Sequence, residues 1–291
     1  EEMGYMVDYE PTIEQDGVLA VISAYTGLII NSKINADVQL IDRGVRLKFI
    51  GRLGAGLEVI DQRYASSKGI VCFNTPEGNC DAVAEHAMGM LLGLMNHIYR
   101  ADAQVRKGQW LREPNRGVEL GGKTVGVIGY GNTGVAFTKR LAGFDVRILA
   151  YDKYISGFGN GTIEETRLNA IHEHADVVSL HVQLTPETQY LVNKSFIQRF
   201  SKPFYLVNTS RGKVVCTEDV LWGLDEGLIM GAALDVLENE KLETLTDKEK
   251  EVFERLANHS KVLLTPHVAG WTVESKEKIA KTMAYKIKEI L

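Results

Sequence analysis

The apolar run Val125 to Ile128 leads straight into Gly129-Tyr-Gly131-Asn132-Thr133-Gly134, and a helix-period segment follows to about Gly143. A glycine triplet at this spacing, between a buried strand and a helix, belongs to a βαβ unit that binds a dinucleotide. The first glycine turns sharply, the second lets the backbone approach a pyrophosphate, and the third packs helix on strand. The N–H groups of the helix N-terminus, including those near Asn132 and Thr133, then face the phosphates. Eighteen residues after Gly134 stands Asp152, at the end of the next strand-like run, Val146 to Tyr151. An acid there holds the ribose hydroxyls and repels a 2′-phosphate, so the pattern favours NAD over NADP.

Short β-branched runs alternate with helix-period segments along most of the chain, which predicts an α/β fold with parallel sheets covered on both faces. A first series reads as strands at Val18 to Ile22, Leu47 to Ile50 and Ile70 to Phe73, with helices near Asn35 to Arg43 and Gly56 to Ser66. A long helix follows from Ala82 to Lys107, whose apolar stripe (Ala84, Ala87, Met88, Leu91, Leu92, Met95) is wide enough to bridge two domains. Further strands are expected at Val177 to Leu180, Phe204 to Asn208, Gly231 to Asp235 and Val262 to Leu264. A lysine-rich amphipathic helix, Val273 to Leu291, closes the chain, and its lysines read as a solvated face.

The chain has 291 residues, enough for two domains. Lys and Arg number 33 against 38 Asp and Glu, a net charge of −5, so the basic footprint of a nucleic-acid binder is absent. No stretch approaches 18 apolar residues, which argues against a membrane span. Cys72, Cys80 and Cys216 have no metal-binding or Cys-x-x-Cys spacing, and three thiols cannot all pair, so no metal is expected and a reducing, cytoplasmic compartment is. The N-terminus has no targeting signal, and a few residues are expected to precede Glu1.

A hydride-transfer site beside NAD needs a cation for the substrate carboxylate and a group that gives and takes a proton. Three segments at strand ends supply candidates: Asn208-Thr-Ser-Arg211-Gly212, Asp235 to Glu240, and Thr265-Pro-His267. With the glycine fingerprint and the stretch Ser179-Leu-His181-Val-Gln-Leu-Thr185-Pro-Glu-Thr188, they stand in the order found in the D-isomer-specific 2-hydroxyacid dehydrogenases, which the chain resembles over essentially its whole length. Gly51-Arg-Leu-Gly54-Ala55-Gly56 and Asn74-Thr-Pro76 with Ala82-Val-Ala-Glu85-His86 resemble the family's substrate-side loops.

The resemblance implies two Rossmann-like, doubly wound domains: a flavodoxin-like substrate domain of residues 1–95 and 270–291, and an inserted NAD domain of residues 96–269, with the active site in the cleft. It implies that Arg211 orients and polarises a 2-oxo acid and that His267 exchanges the proton. Glu240 would fix the histidine's tautomer and favour its protonated form. Glutamate here also argues against the related formate dehydrogenases. Gly54, Ala55 and Gly56 would grip the substrate carboxylate, while Thr209 and Asp235 would hold the nicotinamide carboxamide. Thr185 and Thr188 would lie along the adenosine, and His181 would be structural or touch NAD.

The remaining histidines, His86, His97, His172, His174 and His259, read as packed or solvated, and Cys80 as incidental. Ile22-Ser23 lacks the arginine that many relatives carry before this serine, and Ala269 replaces a glycine. Both count against a phosphorylated substrate, unless Lys33, Lys48 or Arg52 compensates. Since the chain stops at Leu291, the regulatory domain of long phosphoglycerate dehydrogenases, and serine control through it, are not expected. A homodimer through the segment after Ala82 is. The alternatives are a D-3-phosphoglycerate dehydrogenase and a non-enzymatic, NAD-sensing corepressor.

Overall fold

The computed structural model describes residues 4–290; the first three residues and Leu291 lie outside it, and with them the ends of the expected entry passage and closing helix. The described residues form two compact units, one running to Asn79 and resuming at Thr272, the other Cys80–Trp271.

In the smaller unit, helices α1 (Gln15–Val21), α2 (Val38–Arg43) and α3 (Gln62–Ser67) accompany a three-stranded parallel sheet, β1 (Gly27–Ile30), β2 (Phe49–Arg52) and β3 (Val71–Asn74), in that order. Asp37 and Asp61 cap α2 and α3 by accepting backbone N–H groups of Leu40 and Tyr64. The run Val18 to Ile22, expected as a strand, is helical instead. Val18, Leu19 and Ile22 are buried on one helical face, while Ala20 and Val21 between them are exposed. The first strand is Gly27–Ile30.

The larger unit opens with α4 (Cys80–Met95) and α5 (Ile98–Arg106). The expected continuous helix breaks at Asn96-His97: His97 takes a left-handed φ of 54°, and Asn96 Nδ2 bonds back to the Leu92 carbonyl. The apolar stripe of α4 is buried in this unit's own core with Val125, Val127, Phe137 and Val207, so α4 belongs here and not with the smaller unit.

Seven parallel strands follow: β4 (Thr124–Ile128), β5 (Arg147–Tyr151), β6 (Ile163–Glu165), β7 (Val177–Leu180), β8 (Phe204–Asn208), β9 (Ile229–Leu234) and β10 (Val262–Leu264). Their order is β10-β9-β8-β7-β4-β5-β6, so the first strand lies inside the sheet and the winding reverses beside it. That reversal leaves a crevice at the carboxyl ends of β4 and β7, where ligands of open α/β sheets bind. β7 and β8 are buried throughout, and each such Val, Leu or Phe stabilises the fold by roughly 1.5–3 kcal/mol. Helices α6 (Asn132–Leu141), α7 (Leu168–His174), α8 (Lys194–Ile197), α9 (Thr217–Asp225) and α10 (Asp247–Asn258) complete the unit. The chain then returns to the smaller unit in α11 (Val273–Ile290), where Met283 and Ile287 pack with Phe49 and Lys286 pairs with Glu77. Among the described residues no helix is long and apolar enough to cross a membrane.

Candidate active site

The glycine turn sits at the carboxyl end of β4. Gly129 has φ +94°, and a Cβ on it would stand 2.4 Å from the His181 carbonyl oxygen. A Cβ on Gly134 would meet the Gly129 carbonyl at 2.1 Å, so strand, turn and α6 are packed backbone to backbone. Gly131 has open space around it. No side chain caps the N-terminus of α6, which leaves its first N–H groups to a ligand; Asn132 is exposed there and Thr133 half-buried.

Asp152, just past β5, accepts the Tyr130 N–H on Oδ2 at 2.8 Å and the Tyr154 and Ile155 N–H groups on Oδ1 at 2.8 and 3.0 Å. Burial pushes this carboxyl up, but the three N–H donors outweigh it and hold the pKa below the ordinary value. A fixed, ionised carboxylate beside the glycine turn, an open Gly131 and an uncapped helix end together fit a dinucleotide.

His181 lies beneath the turn, with Nε2 2.9 Å from Ser179 Oγ and its ring against Phe137. Part of the residue is open, yet Nδ1 is sealed from solvent without a partner, and burial pushes the imidazole down to about 3. It is therefore neutral. Thr185 and Thr188 join hydroxyl to hydroxyl at 3.2 Å, and Thr188 Oγ1 donates to the Gln183 carbonyl, so they close their own loop.

β8 ends in Asn208, whose buried Oδ1 accepts both Ser210 N–H (3.0 Å) and Ser210 Oγ–H (2.7 Å), while its Nδ2 donates to the Arg211 carbonyl. This side chain, named in the candidate segment but given no role of its own, folds the loop that presents Arg211. An Asn followed two residues later by Ser was the available signal. Arg211 is half-buried and donates from Nη1 to the Ser210 carbonyl at 2.7 Å. Thr209 is buried, and its Oγ1 has no protein partner.

His267 Nδ1 stands 2.9 Å from Glu240 Oε2. Burial raises the Glu240 carboxyl, but the His267 hydrogen bond and charge, the Leu237 N–H and the Arg211 charge more than reverse this and lower its pKa. His267, Glu240 and Arg211 are thus within one electrostatic neighbourhood, with the imidazole about half exposed.

His267 also has a left-handed φ of 53°, a conformation that costs a non-glycine residue roughly 1–3 kcal/mol and persists only under constraint. Asp235 is the constraint. Its carbonyl accepts the His267 N–H at 2.7 Å, Oδ1 accepts the Val268 N–H at 3.0 Å, and Oδ2 accepts the Ala269 N–H at 2.9 Å. The resemblance gave Asp235 to the nicotinamide. Here its side chain is completely covered and its carboxylate is taken up by the 267–269 turn.

In the smaller unit, Gly54 has φ +129°; its N–H donates to Thr75 Oγ1 at 3.0 Å, and Asn74 Nδ2 donates to the Ala55 carbonyl. Ala55 is half-buried and Gly56 buried. Among the described residues no group of three or more His, Cys, Asp or Glu is placed to hold a metal.

The profile of the D-isomer specific 2-hydroxyacid dehydrogenase, NAD binding domain, matches residues 88–269. A glyoxylate reductase of Thermofilum pendens is 38% identical over 90% of this chain and 77% of its own length. A hydroxypyruvate reductase of Thermotoga maritima is 34% identical over 94% of this chain and 88% of its own. The crystal structure of D-lactate dehydrogenase from Aquifex aeolicus, complexed with NAD and lactic acid, superposes with a TM-score of 0.84 at 28% identity, covering 93% of this chain and 84% of that one. Fold and site define an NAD-dependent oxidoreductase acting on a CH–OH group. The chain belongs to the D-isomer specific 2-hydroxyacid dehydrogenase family.

Proposed function

We propose that the protein reduces a small, unphosphorylated 2-oxo acid such as glyoxylate or hydroxypyruvate to the D-2-hydroxy acid with NADH. The His267–Glu240 contact at 2.9 Å, in the field of Arg211, carries this reading. In it, the Arg211 guanidinium lies along the substrate's carboxylate and carbonyl in a planar, two-point contact that polarises C=O. Bound NADH supplies the hydride. His267 donates a proton from Nε2 to the carbonyl oxygen and takes it back in the oxidative direction, and Glu240, holding Nδ1–H, fixes which nitrogen faces the substrate. Gly129, Gly131, Gly134 and the first turn of α6 hold the pyrophosphate, and Asp152 the ribose. Thr209 would offer its unpartnered hydroxyl to the nicotinamide end.

Steady-state assays with NADH and glyoxylate, hydroxypyruvate, pyruvate and 3-phosphohydroxypyruvate test this. The first two should turn over best. Preference for the phosphorylated acid would favour phosphoglycerate dehydrogenase, and no turnover with any acid would remove the proposal.

The protein is further proposed to be a cytoplasmic homodimer. Three cysteines, Cys72, Cys80 and Cys216, cannot all pair with one another, which suits a reducing compartment. The α4 stripe is buried within its own unit, so the dimer surface moves to the next segment, where Ile98, Tyr99, Val105, Trp110 and Leu111 are exposed together. A monomeric mass by light scattering would exclude it.

A further inference from the structure

We propose that His86 is a positioning residue for the acid–base histidine, acting through Thr265 and Asp235; the proposal rests on reading His267 as the proton donor. His86 Nε2 lies 3.0 Å from Thr265 Oγ1 and 3.6 Å from Asp235 Oδ1. The Thr265 hydroxyl has one hydrogen, and it points at Asp235 Oδ1 from 2.5 Å. Toward His86, therefore, both neighbours are acceptors, and Nε2 carries the hydrogen.

A carboxylate as fully covered as that of Asp235 is stable only when donors surround it. Thr265, Val268 and Ala269 supply three, and the last two are the N–H groups of the turn that holds His267 left-handed. Thr265 has a competing acceptor, Met90 Sδ, at 3.5 Å. The Nε2–H of His86 occupies the hydroxyl's lone pair and thereby keeps its hydrogen on Asp235. Without it the hydroxyl is free to rotate, Oδ1 loses its closest donor, and the turn loosens around a strained residue.

His86 is suited to this because it projects from a rigid helix: its neighbours Ala84, Ala87 and Met88 are buried in the core. A general acid displaced by even a fraction of an ångström delivers its proton poorly while the cofactor site stays intact. His86 is a positioning and not a catalytic residue in this scheme, since the groups it meets, Thr265 and Asp235, hold the turn.

The test compares His86→Phe, His86→Gln and Thr265→Val with the parent, using the 2-oxo acid that turns over best. His86→Phe should lower kcat by about tenfold or more while the NADH Kd changes less than about twofold. His86→Gln, which keeps an N–H donor, should restore most of kcat. The His86→Phe/Thr265→Val double variant should lose no more than the worse single one, because both act on one relay. Unchanged kcat in His86→Phe, a parallel loss of NADH binding, no recovery with Gln, or fully additive losses would each overturn the proposal. His267→Ala is run alongside. If it keeps turnover, the reading of His267 fails; if it is inactive while His86→Phe is normal, only the role of His86 fails.

Discussion

A Cβ on Gly212 would stand 1.9 Å from the Leu237 carbonyl oxygen and 2.6 Å from the Glu238 N, so the Arg211 loop and the segment leading to Glu240 meet backbone to backbone. The contact brings the cation and the carboxylate into one neighbourhood. Gly212→Ala forces those backbones apart, an overpacking that should cost about 2 kcal/mol or more of stability. The KM for the 2-oxo acid should rise as Arg211 moves, with NADH affinity nearly unchanged. Denaturant melts and initial rates measure both, and an unaltered KM would show that this contact does not place Arg211.

Glu240→Gln keeps a hydrogen-bond acceptor for Nδ1–H but removes the charge. Reductive kcat at pH 7 should fall about 10–100-fold, because the imidazolium formed or spent in the reaction loses its anionic partner. In the parent, the lowered Glu240 pKa keeps the carboxylate ionised below the usual carboxylate range, so its grip on His267 is lost only as pH falls through that depressed value. Were Glu240→Gln to keep both the parent's kcat and its loss of rate at acid pH, Glu240 would be a spectator.

Asp152→Asn keeps one oxygen to accept the Tyr154 and Ile155 N–H groups now on Oδ1, turns its amide nitrogen toward the Tyr130 N–H in place of Oδ2, and deletes the charge. Discrimination against NADPH, read as the ratio of kcat/KM values for the two cofactors, should fall by about tenfold as repulsion of the 2′-phosphate disappears. An unchanged ratio would place the cofactor choice elsewhere.

The strands β7 and β8 were legible because parallel strands covered on both faces read as unbroken apolar runs, and the glycine turn because only Gly fits φ +94° at Gly129. Val18 to Ile22 misled because a short apolar cluster has too few residues to separate a period of two from one of 3.6. β6 escaped notice as a three-residue edge strand with two exposed glutamates, and the break at His97 because neither Pro nor Gly marks it. At the site, Arg211, Glu240 and His267 stood out as motif residues. Their supports did not: the Thr265 contacts with Asp235 and His86 span 30 and 179 residues of sequence, and no local pattern encodes pairings at that range.

His181, neutral and sealed at Nδ1, links the cofactor turn to acid stability. Its imidazole titrates near 6.5 when the chain is unfolded but only at about 3 when folded. Above pH 6.5 neither state binds the proton and the group has no effect. Below it the unfolded chain takes up a proton that the folded protein refuses, so stability falls by about 1.4 kcal/mol per pH unit until the pH nears the folded value. Burial, aided by the Arg199 charge, lowers His172 too and adds in the same direction. Guanidinium melts at pH 7 and pH 5 should therefore show the parent losing up to about 2 kcal/mol more than His181→Gln, which carries no titrating group. Equal losses in the two proteins would mean that His181 takes up its proton in the folded state after all, and that burial does not hold it neutral.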